Sequence, residues 1–99
     1  MSNDMLKSYL FVIDSSTMSR DDAVKEIDKI KSIENWQKIL PDAVVLVSKN
    51  ELKELQNILR EIFVDQRYIV ILLESGNKNG WLAKSSWEFI NIPKSVFDE

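Results

Sequence analysis

The sequence predicts an α+β domain in which two helices lie on one side of an antiparallel sheet. Three strand-like runs support this class, at residues 8–14, 43–47 and 67–74. Between them lie two segments with apolar residues at helical spacing, one after Ser19 and one after Ser48. Because 99 residues form one domain of ordinary size, these elements are expected to share one core.

The first strand is expected over residues 8–14, after a disordered N-terminus of residues 1–7. Its apolar side chains point in both directions: Tyr9, Phe11 and Ile13 to one side of the sheet, and Leu10 and Val12 to the other. The strand ends in Asp14, followed by a short polar connection. The strand is therefore predicted to be central and buried on both faces.

The first helix is predicted to begin after Ser19, a good N-cap residue. Asp21 and Asp22 would then lie in the first turn, where the helix dipole favours carboxylates. Apolar residues at helical spacing extend this amphipathic helix to a length of about 14 residues.

Residues 33–40 allow two interpretations. They could prolong the first helix, and the domain would then be a three-stranded parallel α/β domain. Alternatively, they form a strand that turns at Pro41 and Asp42 into the run at 43–47. We prefer the hairpin, because a helix from Ser19 to Leu40 would be long for this domain.

The remaining elements complete a strand–helix–hairpin–helix–strand order. Ser48 and Glu51 have the spacing of a capping box for the second helix. The last strand is expected over residues 67–74. The hairpin interpretation thus predicts a ferredoxin-like βαββαβ sandwich over residues 8–74, with a loop and an apolar, aromatic tail over residues 75–99.

The strands predict that both faces of the sheet are covered. A sheet with one wet face alternates apolar and polar residues, and these three strands do not. Two helices cover only one face, so the tail and a second copy of the chain are expected to cover the other, as a homodimer. The candidate interface residues lie in the tail: Trp81, Leu82, Trp87, Phe89 and Ile90.

Composition restricts the chemistry of the chain. It contains no cysteine and no histidine, which removes thiolate metal sites, the imidazole base and triads built on either residue. The net charge is −3 without a basic block, so we expect no nucleic-acid partner, and no segment is apolar enough to span a membrane. We expect a cytoplasmic protein that binds a protein partner, with no enzymatic activity and no cofactor.

Asp14 is the candidate site residue and also has two interpretations. A carboxylate at the end of a central strand can hold Mg²⁺, and a two-fold axis could bring a second copy of Asp14 beside it. Alternatively, Asp14 caps the following turn through the amides of Ser16 and Thr17. The second interpretation is the simpler one, because one carboxylate alone makes a weak metal site.

The run Tyr9–Asp14, the following helix, the segment 36–47 and the strand 67–74 resemble the small ferredoxin-fold proteins related to the CRISPR-associated adaptation subunit. The tail with Trp81 and Trp87 resembles the closing segment of their stand-alone bacterial relatives. The resemblance implies a homodimer. It also implies, as the alternative to a binding protein, a Mg²⁺-dependent nuclease that uses Asp14 at the dimer axis.

Overall fold

The computed structural model describes residues 5–74 and 78–93. In chain order the elements are β1 (Lys7–Ile13), α1 (Arg20–Ile27), β2 (Ile33–Leu40), β3 (Ala43–Ser48), α2 (Leu52–Ile62), β4 (Tyr68–Leu73) and α3 (Lys84–Asn91). Among these residues, no helix has the length and apolar character needed to cross a bilayer. The chain therefore follows the predicted α+β order, and a third helix is added by the tail.

The sheet has four strands in the order β2-β3-β1-β4, and every neighbouring pair is antiparallel. β1 is central, with β3 on one side and β4 on the other, as its two apolar faces predicted. The three-stranded parallel alternative is wrong. Its premise was a helix at residues 33–40, and these residues instead pair with β3.

The β2–β3 hairpin turns through Pro41 and Asp42, as predicted. The pairing overrides the helical spacing of Ile33, Trp36 and Leu40, because Trp36 lies opposite Leu46 and Leu40 opposite Ala43. Two register shifts interrupt this pairing, one after Ile33 and one after Lys38. β2 is thus an irregular edge strand.

α1 begins as predicted but ends earlier. The Ser19 hydroxyl accepts a hydrogen bond from the Asp22 amide at 3.1 Å, and Asp21 and Asp22 lie in the first turn. The helix ends at Ile27 after 8 residues, because Ile30 belongs to a turn that leads Ile33 into β2.

The predicted capping box of α2 is wrong in its first member. The N-cap is Glu51, whose amide donates to Glu54 Oε1 at 2.9 Å. Ser48 is the last residue of β3; its hydroxyl donates to the Ser32 carbonyl at 2.7 Å. The serine therefore joins the end of β3 to the chain entering β2.

α1 and α2 cover one face of the sheet, which we call the helix face. Aromatic rings form its centre: the centroids of Phe11 and Phe63 are 5.3 Å apart, and those of Phe11 and Tyr68 are 5.4 Å apart. The remaining core consists mainly of apolar residues that alternate along the strands or line the helices: Tyr9, Ile13, Ala23, Val24, Ile27, Ile33, Val44, Leu46, Leu55 and Leu59.

The predicted N-terminal segment and the predicted tail lie only partly within the described residues. Residues 1–4 of the N-terminus expected to be disordered lie outside the described residues, and Lys7 is the first residue of β1. In the tail, residues 75–77 and 94–99 lie outside them, and α3 occupies part of the described segment 78–93.

Candidate functional site

The opposite face of the sheet, which we call the second face, is covered by α3 on the side of β2, β3 and β1. Val45 and Val47 point to this face and are completely buried, although neither belongs to the core cluster beneath α1 and α2. On the β2 side, Asn35 and Gln37 of the sheet and Ser85 and Phe89 of α3 line a shallow depression. On this side of the second face, α3 therefore packs against the sheet.

A buried hydrogen bond attaches α3 to the central strand. The Ser8 hydroxyl of β1 donates to the carbonyl of Ile90 at 2.8 Å. This carbonyl belongs to the last turn of the helix, where no intrahelical donor remains. Ser8 thereby satisfies a helix-end acceptor, and the Ile90 side chain beside it is only 5% exposed.

The β1–β4 side of the second face remains open. Five apolar side chains form what we call the open strip: Leu10, Val12, Ile69, Ile71 and Leu73. Ile69 is 61% exposed and Ile71 is 46% exposed, whereas Leu10, Val12 and Leu73 are half-buried. Leu10 lies opposite Ile71 and Val12 opposite Ile69 in the β1–β4 register, so the strip is continuous.

A groove of about 440 Å³ runs between this strip and the segment that leads into α3. Its floor includes Leu10, Ile71 and Leu73, and its wall includes Trp81 and Trp87. Trp81 is 98% exposed, so it presents roughly 200 Å² of aromatic surface beside the strip. A contiguous apolar surface of this kind is typical of an interaction site.

Four of the five predicted interface residues line this groove together. These are Trp81, Leu82, Trp87 and Ile90. Phe89 is placed apart, in the depression on the β2 side. Ile69 and Ile71 were not among the predicted interface residues. The signal for their exposure was nevertheless present, because β4 does not alternate apolar and polar residues.

Asp14 lies at the other candidate site, directly after β1. Its Oδ1 accepts hydrogen bonds from the Ser16 amide at 3.0 Å and the Ser16 hydroxyl at 2.7 Å. Its Oδ2 accepts from Arg67 Nε at 3.0 Å. These contacts, led by the Ser16 hydroxyl, lower the pKa of the carboxyl from 3.8 to about 2. The residue caps the turn and ties the end of β1 to the start of β4.

The surroundings of Asp14 do not fit a Mg²⁺ site within one chain. Both carboxylate oxygens already accept hydrogen bonds, and the nearest charged partner is a guanidinium. Nowhere in segments 5–74 and 78–93 do three or more aspartate or glutamate side chains converge as a metal would require. A divalent cation would have to displace Arg67 and recruit oxygen ligands from outside the chain.

Comparisons with protein-family models, curated proteins and solved structures found no match for this chain. The resemblance to the CRISPR-associated ferredoxin-fold proteins therefore stays a prediction.

Proposed function

We propose that this chain is a homodimeric, ferredoxin-like protein that acts by binding, with a regulatory or accessory role. The observation that carries the proposal is the division of the second face, where α3 buries one side and leaves an apolar strip and Trp81 on the other. A second copy that buries the same strip on both chains would remove this surface from water. The expected cytoplasmic location stays a prediction.

The strand order supports the ferredoxin-like assignment. β1-α1-β2 and β3-α2-β4 are two β-α-β units, and in each unit the two strands are separated by one strand of the other unit. This is the split β-α-β arrangement. In such a sheet one face carries the two crossover helices, and the other face is left for a further element or a partner.

The proposed dimer is tested by sedimentation of the wild type and of Ile71→Glu over a range of concentrations. A glutamate in the open strip would place two carboxylates, one from each copy, in an apolar interface. Association should weaken by roughly 100-fold or more. The matched control is Ile92→Glu, because Ile92 is 60% exposed and lies outside the groove.

The wild type should sediment as a dimer at micromolar concentration, the Ile71 variant as a monomer and the Ile92 variant as the wild type does. A wild type that is monomeric throughout would refute the dimer. An Ile71 variant that associates as the wild type does would refute the open strip as its interface.

The second candidate is the Mg²⁺-dependent nuclease that the resemblance implies, with Asp14 from both copies. It is favoured only by the position of Asp14 at the end of the central strand, and the Arg67 contact weighs against it. Incubation of RNA and DNA with Mg²⁺ or Mn²⁺ separates the two proposals. If the wild type cleaves nucleic acid and Asp14→Ala does not, catalysis replaces binding as the proposed function. Equal cleavage by both proteins, or cleavage by neither, would reject the nuclease.

A further inference from the structure

The two edges of the sheet are built differently. The β2 edge carries two register shifts and the charged residues Glu34 and Lys38, devices that discourage pairing with another strand. The β4 edge pairs with β1 in unbroken register over six consecutive residues. Its sequence, Tyr-Ile-Val-Ile-Leu-Leu, contains no charge, proline or glycine. Of the two edges, only β4 is an open template for a further strand.

The phase of the ladder shows which backbone groups are free at this edge. The Asp14 amide donates to the Arg67 carbonyl at 2.8 Å, so residues 14 and 67 are a hydrogen-bonded pair. Because such pairs alternate along antiparallel strands, Ile69 and Ile71 also bond inward to β1. The N–H and C=O groups of Tyr68, Val70 and Leu72 therefore point away from the sheet. No described strand lies beyond β4 to receive them.

The side chains at this edge belong to the surface that the proposed dimer must bury. Ile69 and Ile71 are the most exposed members of the open strip. The backbone N–H and C=O groups of Ile69 and Ile71 bond to β1, so these two residues would occupy non-hydrogen-bonded positions opposite an added strand. At such positions the side chains of the two strands approach most closely. An added strand would thus satisfy three backbone pairs and cover the two isoleucines together.

We propose that the second copy is seated by antiparallel pairing of β4 with its own counterpart, giving a continuous eight-stranded sheet. This inference rests on the proposed homodimer and specifies its geometry. When a strand pairs with its own counterpart about a two-fold axis, Ile69 and Ile71 of each copy lie against the same two residues of the other copy. The pairing therefore buries these exposed side chains on both chains. The exposed ends also complement each other, since Arg67 precedes β4 and Glu74 follows it.

A six-residue strand pair is small beside the roughly 800 Å² per partner of a stable interface. Trp81 and the rest of the open strip lie on the same side of the sheet and supply further apolar area. A second copy fits this surface better than an isolated extended peptide, because it brings the strand and the Trp81 wall together.

The absence of cysteine from the sequence allows a direct test by disulfide cross-linking. Ile69→Cys, Ile71→Cys and an equal mixture of the two are oxidised at micromolar concentration. A two-fold axis at residue 69 or 71 cross-links the corresponding single variant, and an axis at Val70 cross-links the mixture. The control is Ile92→Cys, because Ile92 is 60% exposed in the wild type and lies outside the groove, on the β2 side of the second face.

We expect most of the chain to cross-link in one of the three samples and little in the control. As a second readout without substitution, the amides of Tyr68, Val70 and Leu72 in the wild type should exchange with deuterium at least tenfold more slowly when concentration is raised through the dimer transition.

The outcomes separate this inference from the proposed function. A dimer in sedimentation with no β4 cross-link and fast-exchanging edge amides would overturn the strand pairing alone. Cross-linking of Ile92→Cys as fast as the β4 variants would do the same. A monomeric wild type would overturn both.

Discussion

Asp14 illustrates how one carboxylate organises the end of a central strand. It receives two hydrogen bonds from Ser16 and one from Arg67, and the Thr17 hydroxyl donates to its carbonyl at 2.8 Å. Thr17 in turn accepts from the Arg67 amide at 3.2 Å. The turn after β1 and the entry to β4 are therefore held as one unit.

Replacing Asp14 by alanine should lower stability in a pH-dependent way. The pKa of its carboxyl is lowered from 3.8 to about 2, so its contribution is complete above the unfolded value and is lost as pH falls through about 2. Urea unfolding of Asp14→Ala should show a lower midpoint than the wild type at neutral pH, and the difference should vanish near pH 2. Asp65→Ala is the control at an exposed carboxylate; an equal effect there would contradict the assigned contacts.

Tyr9 provides the opposite pH dependence on the helix face. Its ring is completely buried, and its hydroxyl donates to the Asn50 carbonyl at 2.6 Å. Burial, reinforced by Glu51 and Glu54, raises the pKa of the phenol from 10.0 to about 12. The stabilisation is complete below pH 10 and is lost between about pH 10 and 12, where the unfolded chain ionises first.

Tyr9→Phe should therefore cost about 1–2 kcal/mol at neutral pH through the lost hydrogen bond. Between pH 10 and 12 this deficit should shrink, because phenylalanine does not ionise. Chemical unfolding at neutral pH and at a pH between 10 and 12 measures this deficit in the free energy of unfolding. The control is Tyr68→Phe, whose hydroxyl makes a longer bond of 3.3 Å to Gln56. A deficit in Tyr9→Phe that is independent of pH would contradict this account.

At the scale of elements, α3 is the cover of half the second face. Ile90→Ala removes a side chain that is 5% exposed and packs beside the Ser8 bond. It should cost about 2–4 kcal/mol, whereas Ile92→Ala, at a side chain 60% exposed, should cost less than about 0.5 kcal/mol. Urea unfolding of both variants measures the two costs. Equal costs would show that α3 does not pack on the sheet as described.

Local patterns predicted the strands of this fold better than the ends of its helices. The apolar runs of β1, β3 and β4 needed no tertiary information, because both faces of each strand are apolar. Residues 33–40 were ambiguous, since their apolar spacing suits a helix and only pairing with β3 decides. Ser48 had the spacing of a cap, but a strand end with the Ser32 carbonyl nearby uses its hydroxyl differently.

The candidate site was predicted in outline and not in detail. The aromatic tail and the doubly apolar strands indicated that something beyond two helices covers the sheet. Which side of the second face stays open depends on where α3 docks, and that follows from Ser8 and Ile90, 82 residues apart in the chain. No short-range pattern contains such a contact, so the sequence alone did not show that Ile69 and Ile71 would be the exposed residues of the second face.

At the scale of the whole molecule, the chain forms two complete layers and part of a third. The helix layer on one face covers an aromatic core, and the layer on the second face ends at β1. The proposed second copy extends the sheet at β4, beside the part of the second face that α3 leaves open. The same interface would unite the open strip, Trp81 and the unpaired edge of β4, three features that otherwise have no common explanation.

The three tryptophans make this claim directly measurable, because they lie in different surroundings. Trp36 packs on the helix face and donates to Asp28 at 2.9 Å; Trp87 is half-buried in the groove; Trp81 is 98% exposed. Fluorine NMR of the wild type labelled with fluorotryptophan, followed through a dilution series, observes all three at once. We predict that the Trp81 resonance moves with concentration, while that of Trp36 stays fixed. Three resonances that do not respond to dilution, or a response at Trp36 and not at Trp81, would contradict the account.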